Sequence, residues 1–275
     1  MPNDFRLPPM GFGPGSQPED DTLDYMPLPQ DMRTYAPHIP ETDDRPDADA
    51  IEVLSQVSRA ALSVAETGGA RQFDISALPP RARALVAEVM GEGEVSIRMQ
   101  GIPAIAAQES VFAGVWMMQG DGVDIIEVSP VPTLAIERSF NARRAAKGEA
   151  APTLPGMANA QALIVELLDK SAAYQPGQEP HVINLTLLPH TEPDLAWLDI
   201  ALGEGAVTVL SRGYGNCRIT ATATRGIWRV QFFNSMDALI LDTFEVTEMP
   251  EIAIAASEDL ADSAKRIEAV LEAIT

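Results

Sequence analysis

The chain has 275 residues and a formal net charge of −21, from 19 basic and 40 acidic side chains. Such a charge disfavours binding to nucleic acids and to anionic lipids, which are themselves negative. No apolar run approaches the roughly 20 residues that cross a bilayer, and the N-terminus lacks the pattern of a signal peptide. We therefore expect a cytoplasmic protein that inserts in no membrane and binds no nucleic acid.

The residue inventory also limits metal and disulfide chemistry. Cys217 is the single cysteine, so no disulfide can form within the chain. The three histidines, His38, His181 and His190, are scattered, whereas closed zinc or iron–sulfur sites need about four nitrogen or sulfur ligands. We expect no bound cofactor, although a site of two histidines completed by carboxylates stays open. Cys217 shares one face of its predicted strand with apolar residues such as Ile219, which indicates a buried structural cysteine rather than a nucleophile.

Residues 1–46 contain 10 of the 22 prolines and are strongly acidic. This composition cannot bury enough apolar surface to offset the entropy of ordering the chain, so we predict a flexible acidic, proline-rich tail. Within it, residues 26–40 place apolar side chains between prolines. Such a segment can dock in extended form on the body or on a partner, or it can be a linker, and the sequence leaves these alternatives open.

A first group of elements is predicted after the tail. A helix begins at Asp47 or Asp49, either of which can cap it, and ends at the glycines 68–69. A short strand follows at 73–77, and a second helix opens on two prolines at 79–80 and stops at Gly91. Period-two patterns then predict four strands near 95–99, 105–111, 115–118 and 123–128.

A second group of elements follows a predicted linker over residues 136–156. The linker carries a basic cluster that we interpret as a solvated helix face: Arg138, Arg143, Arg144 and Lys147. Beyond it, helical spacing predicts helices near 161–173 and up to 202, and a last helix from Ser257. Strands are predicted near 182–185, 207–210, 217–224, 227–233 and 238–246.

The two groups share landmarks in one order, which indicates an internal duplication. Gly-Glu-Gly at 91–93 and 203–205, and Gly-x-Trp at 114–116 and 226–228, are each 112 residues apart, and Leu-Pro at 78–79 and 188–189 is 110 apart. We predict an α+β fold of two related repeats, each an antiparallel β-meander with helices packed on it. The repeats are assigned to 47–135 and 157–275, and the C-terminal helix to the second.

The second repeat carries polar side chains where the first carries mostly apolar ones. At the offset of 112 residues, the pairs are Arg212 and Gln100, Tyr214 and Ile102, Asn216 and Ala104, and Arg218 and Ala106. A shared fold does not require these polar residues. Either they serve a contact peculiar to the second repeat, or they pair with its many carboxylates. They are the candidate partner-binding residues: Arg212, Tyr214, Asn216 and Arg218.

Four blocks, at residues 184–189, 202–205, 211–218 and 228–234, together resemble the HupH/HyaF family of hydrogenase expression proteins. The resemblance implies a chaperone-like accessory protein, not an enzyme, for maturation of a membrane-bound uptake [NiFe]-hydrogenase. It further implies binding of the iron–sulfur small subunit precursor before export, alongside a thioredoxin-like accessory protein, and it implies no catalytic residue. The alternative is an enzyme or sensor that holds a small anion with the arginines of the second repeat.

Overall fold

A computed structural model describes residues 47–212 and 216–275. Its helices are α1 (Ala48–Thr67), α2 (Pro80–Met90), α3 (Thr133–Arg138), α4 (Ala160–Ala173), α5 (Glu192–Leu202) and α6 (Ser257–Ile274). Five strands precede α3: β1 (Arg71–Asp74), β2 (Val95–Met99), β3 (Ile105–Glu109), β4 (Val115–Gly120) and β5 (Val123–Val128). Five more follow α4: β6 (His181–Asn184), β7 (Val207–Ser211), β8 (Asn216–Ala221), β9 (Ile227–Phe233) and β10 (Leu239–Val246).

The strands of the described residues form one antiparallel sheet in the order β1-β5-β4-β3-β2-β7-β8-β9-β10-β6. Each half repeats the same order outward from the centre, and β2 and β7 join the halves. The helices keep the offset as well, because α2 and α5 both start and end 112 residues apart. The predicted α+β class and the two related repeats are confirmed.

The joint between the halves has an approximate two-fold axis. Ile97 of β2 lies opposite Val209 of β7, so each residue faces its own counterpart at the offset of 112. Two hydrogen bonds flank the joint symmetrically: the Gln100 amide donates to the Ala206 carbonyl at 2.8 Å, and the Arg212 amide to that of Glu94 at 3.1 Å. The repeats therefore meet as two subunits of a symmetric dimer meet.

Helices cover the two ends of one sheet face. On the first half, α1, α2 and α6 bury one apolar core with β4 and β5, and on the second half α4 and α5 bury another with β9 and β10. The opposite face carries a third core that crosses the axis and includes Ile97, Val209, Trp116 and Trp228. Because cross-strand partners point to the same side of a sheet, this core is continuous from one repeat to the other.

Helix α6 follows the second repeat in the chain but packs on α1 of the first. Its buried Leu260 and Ile267 belong to the core of the first half, and the Ser58 hydroxyl donates to the Ala264 carbonyl at 3.0 Å. The residue boundaries that the sequence analysis assigned to the two repeats and to the linker stay a prediction.

The segment after α3 crosses to the second half in the same way. The Ala206 amide donates to the Ser139 carbonyl at 3.0 Å, and the linker arginines form ion pairs there. Arg143 pairs with Glu204 and Arg144 with Asp199, each at 2.8 Å. The solvated helix face expected here is wrong, because α3 ends at Arg138 and these arginines lie beyond it.

The predicted tail, residues 1–46, lies outside the described residues, as does its segment 26–40. Among the described helices, none combines the length and the apolar character needed to cross a bilayer.

Candidate functional site

Three of the four candidate residues line one surface depression of about 500 Å³. Strand β7 ends at Ser211 and β8 begins at Asn216, so Arg212, Asn216 and Arg218 lie around the end of this hairpin. Phe233 and Asp237, from the neighbouring hairpin, also line it. Tyr214 lies outside the described residues.

The pleat of β8 separates its polar from its apolar side chains. Cys217 and Ile219 are buried in the core that spans both repeats, whereas Arg218 points to the opposite, helix-bearing face. There the guanidinium carbon of Arg218 lies 5.7 Å from the ring centroid of Phe233, within the range of a cation–π contact. The predicted alternation therefore sets which side chains reach the depression.

The polar groups of the depression are only partly engaged. The Asn216 side-chain amide donates to the Asp237 carboxylate at 3.3 Å, and Arg212 is anchored through its main chain at the joint between the repeats. Neither Arg212 nor Arg218 forms an ion pair with any residue that the structure describes. Both guanidinium groups are exposed, with one carboxylate beside them.

Another arginine of the second repeat is committed to the fold. Arg229 donates to both oxygens of the buried Asp242, at 2.9 Å and 2.6 Å, in a bidentate pair. Of the two alternatives that the sequence left open, pairing with a carboxylate is seen at Arg229, whereas Arg212 and Arg218 are exposed.

Sequence reasoning missed the contribution of the hairpin between β9 and β10. This hairpin is six residues longer than its counterpart between β4 and β5, because the offset grows from 112 at the tryptophans to 118 at Val128 and Val246. The extension supplies Phe233 and Asp237, and it exposes Met236 and Ile240 at 82% and 56%. The change of offset was the signal that could have revealed it.

Cys217 is buried, with 3% of its surface exposed. Burial, and secondarily the charge of Glu245, raises the pKa of the thiol to about 11. The thiol is therefore protonated at neutral pH, which fits the structural interpretation and not a nucleophile. Within the described residues, no three His, Cys, Asp or Glu side chains gather as a metal ligand set.

Two segments, residues 48–147 and 157–274, match the profile described as HupH hydrogenase expression protein, C-terminal conserved region. The chain belongs to the HupH/HyaF family. It is 59% identical over 276 residues to hydrogenase expression/formation protein HupH of Rhodobacter capsulatus, over the full length of both chains. It is 40% identical to hydrogenase expression/formation protein HoxQ of Cupriavidus necator, over 98% of each chain. Hydrogenase-1 operon protein HyaF of Escherichia coli is 29% identical, over 95% of this chain and 94% of its own.

A solved structure, that of hydrogenase expression protein HupH from Thiobacillus denitrificans, is also similar to this member of the HupH/HyaF family. It is 29% identical, covers 43% of this chain and 98% of its own, and superposes with a TM-score of 0.38. The same family profile matches both halves of the chain, which agrees with the duplication seen in the sheet.

Proposed function

We propose that this chain is a non-catalytic accessory protein of hydrogenase maturation. The observation that carries the proposal is the full-length similarity to proteins named for hydrogenase expression and formation, at 59% identity for the first of them. In more detail, we propose that it binds the iron–sulfur small subunit precursor of a membrane-bound uptake [NiFe]-hydrogenase. Binding would take place in the cytoplasm before export, with a thioredoxin-like accessory protein as a second partner, as the family resemblance implies.

The proposed contact surface is the depression around Arg212, Asn216 and Arg218. Exposed guanidinium groups beside an aromatic ring suit a protein surface, because arginine binds carboxylates and also packs on apolar groups. The exposed Met236 and Ile240 on the adjoining hairpin extend this surface with apolar area of the kind that marks contact sites.

The competing proposal is a small-anion enzyme or sensor. The two arginines in one depression favour it, while the Asp237 carboxylate in the same lining weakens the attraction for an anion. Native mass spectrometry of the purified chain distinguishes the two, because a retained anionic ligand of constant mass would support the sensor.

Affinity capture of wild type from the cytosol of hydrogenase-expressing cells tests the partner. The proposal expects the unexported small subunit precursor among the captured proteins, identified by its uncleaved export signal. Capture of the mature subunit alone, or of no hydrogenase component, would remove the precursor as the partner.

A further inference from the structure

Two glutamates that the duplication makes equivalent have different surroundings. Glu127 of β5 and Glu245 of β10 each lie two residues before the carbonyl that accepts a buried indole N–H, that of Ser129 or Thr247. Glu127 is fully buried, whereas Glu245 is only partly buried. The first repeat therefore serves as an internal reference for the second.

Glu127 is satisfied by donors of its own repeat. Its carboxylate accepts from the Gln72 side chain at 2.8 Å, from the Ser129 hydroxyl at 3.0 Å and from the Thr133 amide at 2.7 Å. The Thr133 hydroxyl adds a longer bond at 3.3 Å. A buried carboxylate needs such donors to remain charged, and this one also holds the start of α3.

In the second repeat, the described equivalents of these donors do not donate to Glu245. Val182 lies opposite Glu245 where Gln72 lies opposite Glu127. The Thr247 hydroxyl turns to the Met249 carbonyl at 3.3 Å, and an acidic residue, Glu251, replaces Thr133. Among the described residues, the remaining donor to Glu245 is the Thr243 hydroxyl, at 3.3 Å.

Glu245 faces an open depression of about 450 Å³ whose other walls are apolar except at Glu251. Val182 and Ile252 line it and are 49% and 38% exposed, and Glu251 adds a second carboxylate. Burial raises the pKa of Glu245, the Thr243 hydroxyl lowers it, and the charge of Glu251 raises it further. Among the described residues, none that lines the depression carries a positive charge that would stabilise both carboxylates.

The depression adjoins the sheet edge formed by β6, which is free among the described residues. Strand β6 is the outermost strand of the second half and pairs with β10 alone in the described part of the chain. An unpaired strand edge can accept another extended chain through main-chain hydrogen bonds. Every second residue of such a chain would point to the face that carries Val182 and Glu245.

We propose that this edge and depression bind an extended segment of another protein. The segment carries Arg or Lys with apolar residues at the alternate positions on either side of it. The positive charge replaces the donors that Glu127 obtains from its own repeat, and the apolar residues pack on Val182 and Ile252. A second copy of this chain is disfavoured as the occupant, since each copy carries a net charge of −21. The proposal is separate from the arginine surface and does not rest on the small subunit precursor.

Two fluorescent peptides test the proposal on the full chain: Gly-Val-Thr-Arg-Thr-Val-Gly and the same peptide with Gln in place of Arg. Titration followed by anisotropy should show about tenfold tighter binding of the Arg peptide, a difference that declines as salt rises. The double variant Glu245→Gln/Glu251→Gln should bind both peptides equally. The control Glu258→Gln/Glu268→Gln, with the same change of charge on exposed positions of α6, should retain the preference.

Equal binding of the two peptides by wild type, no binding of either, or an unchanged preference in the Glu245→Gln/Glu251→Gln variant would overturn the proposal. If the Arg33→Gln/Arg45→Gln variant bound the Arg peptide with tenfold higher affinity than wild type, the depression would be assigned to the N-terminal segment of this chain instead. A concentration-dependent dimer that the Glu245→Gln/Glu251→Gln variant loses would assign it to a second copy. The Arg212→Ala/Arg218→Ala variant should retain peptide binding, so failure here is separable from failure of the arginine surface.

Discussion

Trp116 and Trp228 donate their indole N–H groups to equivalent carbonyls, those of Ser129 at 3.0 Å and Thr247 at 3.2 Å. Both rings are fully buried in the core that spans the two repeats. The duplication thus extends from backbone order to individual side-chain hydrogen bonds.

This equivalence predicts how the repeats respond to the same substitution. Trp116→Phe and Trp228→Phe should each lower the free energy of unfolding by roughly 1–3 kcal/mol, because a buried carbonyl loses its donor and a void remains. The loss should be larger at Trp228, which also packs edge-on against Phe140 at 5.4 Å. Urea unfolding followed by circular dichroism measures both. An unaffected stability in either variant would contradict the account.

A buried carboxylate joins two helices of the second repeat. Asp194 is fully buried and accepts from the amides of Thr191 at 2.8 Å, Ala158 at 2.8 Å and Ala160 at 3.0 Å. Burial opposes its ionisation, but these amides hold the pKa of Asp194 well below its ordinary value. It thereby satisfies the N-termini of both α4 and α5.

We expect Asp194→Ala to destabilise the fold by on the order of 3 kcal/mol, since several buried amides lose their acceptor. Asp194→Asn should cost less, because one carbonyl oxygen remains. The carboxylate contributes stability above its unfolded pKa, near 3.8, and that contribution is lost as the pH falls further. Chemical unfolding at pH 7 and near pH 3 tests this: wild type and Asp194→Ala should differ less at the lower pH, and a constant difference would argue against it.

Glu109 should give the opposite pH dependence. Burial raises its pKa to about 6; the Gly114 amide lowers it, and the charges of Glu94 and Asp259 raise it. A raised pKa means that its contribution to stability is present below about 4.5 and is lost as the pH rises through about 6. Glu109→Gln should therefore be up to about 2 kcal/mol more stable than wild type at pH 7.5 and no more stable at pH 4. Thermal unfolding of wild type and Glu109→Gln at pH 7.5 and pH 4 tests this prediction. A Glu109→Gln variant that is less stable than wild type at pH 7.5 would contradict it.

The sequence predicted the elements better than their arrangement. The helix from the prolines at 79–80 to Gly91 is α2, because proline starts and glycine ends a helix through local backbone geometry. Local patterns cannot reveal that β2 pairs with β7 or that α6 packs on α1, since both depend on contacts between distant residues. At the site, Arg212 and Arg218 could be found because the first repeat lacks them. Phe233 and Asp237 were missed, because they reach the depression through the longer hairpin, which only the change of offset between the repeats signals.

The two equivalent glutamates should respond differently to loss of charge. Glu127→Gln should lower the free energy of unfolding at pH 7.5 by roughly 1–3 kcal/mol, because an acceptor oxygen becomes an amide that faces the donors of Ser129 and Thr133. Glu245→Gln should leave the stability equal or higher, since burial and the charge of Glu251 disfavour the charged form and raise the pKa of Glu245. Thermal unfolding of both variants and of wild type at pH 7.5 measures the two changes in stability. Equal losses would mean that Glu245 is a structural residue like its counterpart.

Quantitative capture of the small subunit precursor by the Arg212→Ala/Arg218→Ala variant tests the central claim most directly. The fold should survive, because the first repeat has Gln100 and Ala106 at the equivalent positions, and circular dichroism verifies this. The control Arg71→Ala/Arg225→Ala removes the same charge from exposed positions elsewhere. We predict that the control captures as much precursor as wild type, while the Arg212→Ala/Arg218→Ala variant captures about tenfold less, as expected when two central arginines are truncated. Equal capture by a folded Arg212→Ala/Arg218→Ala variant would contradict the assignment of this surface.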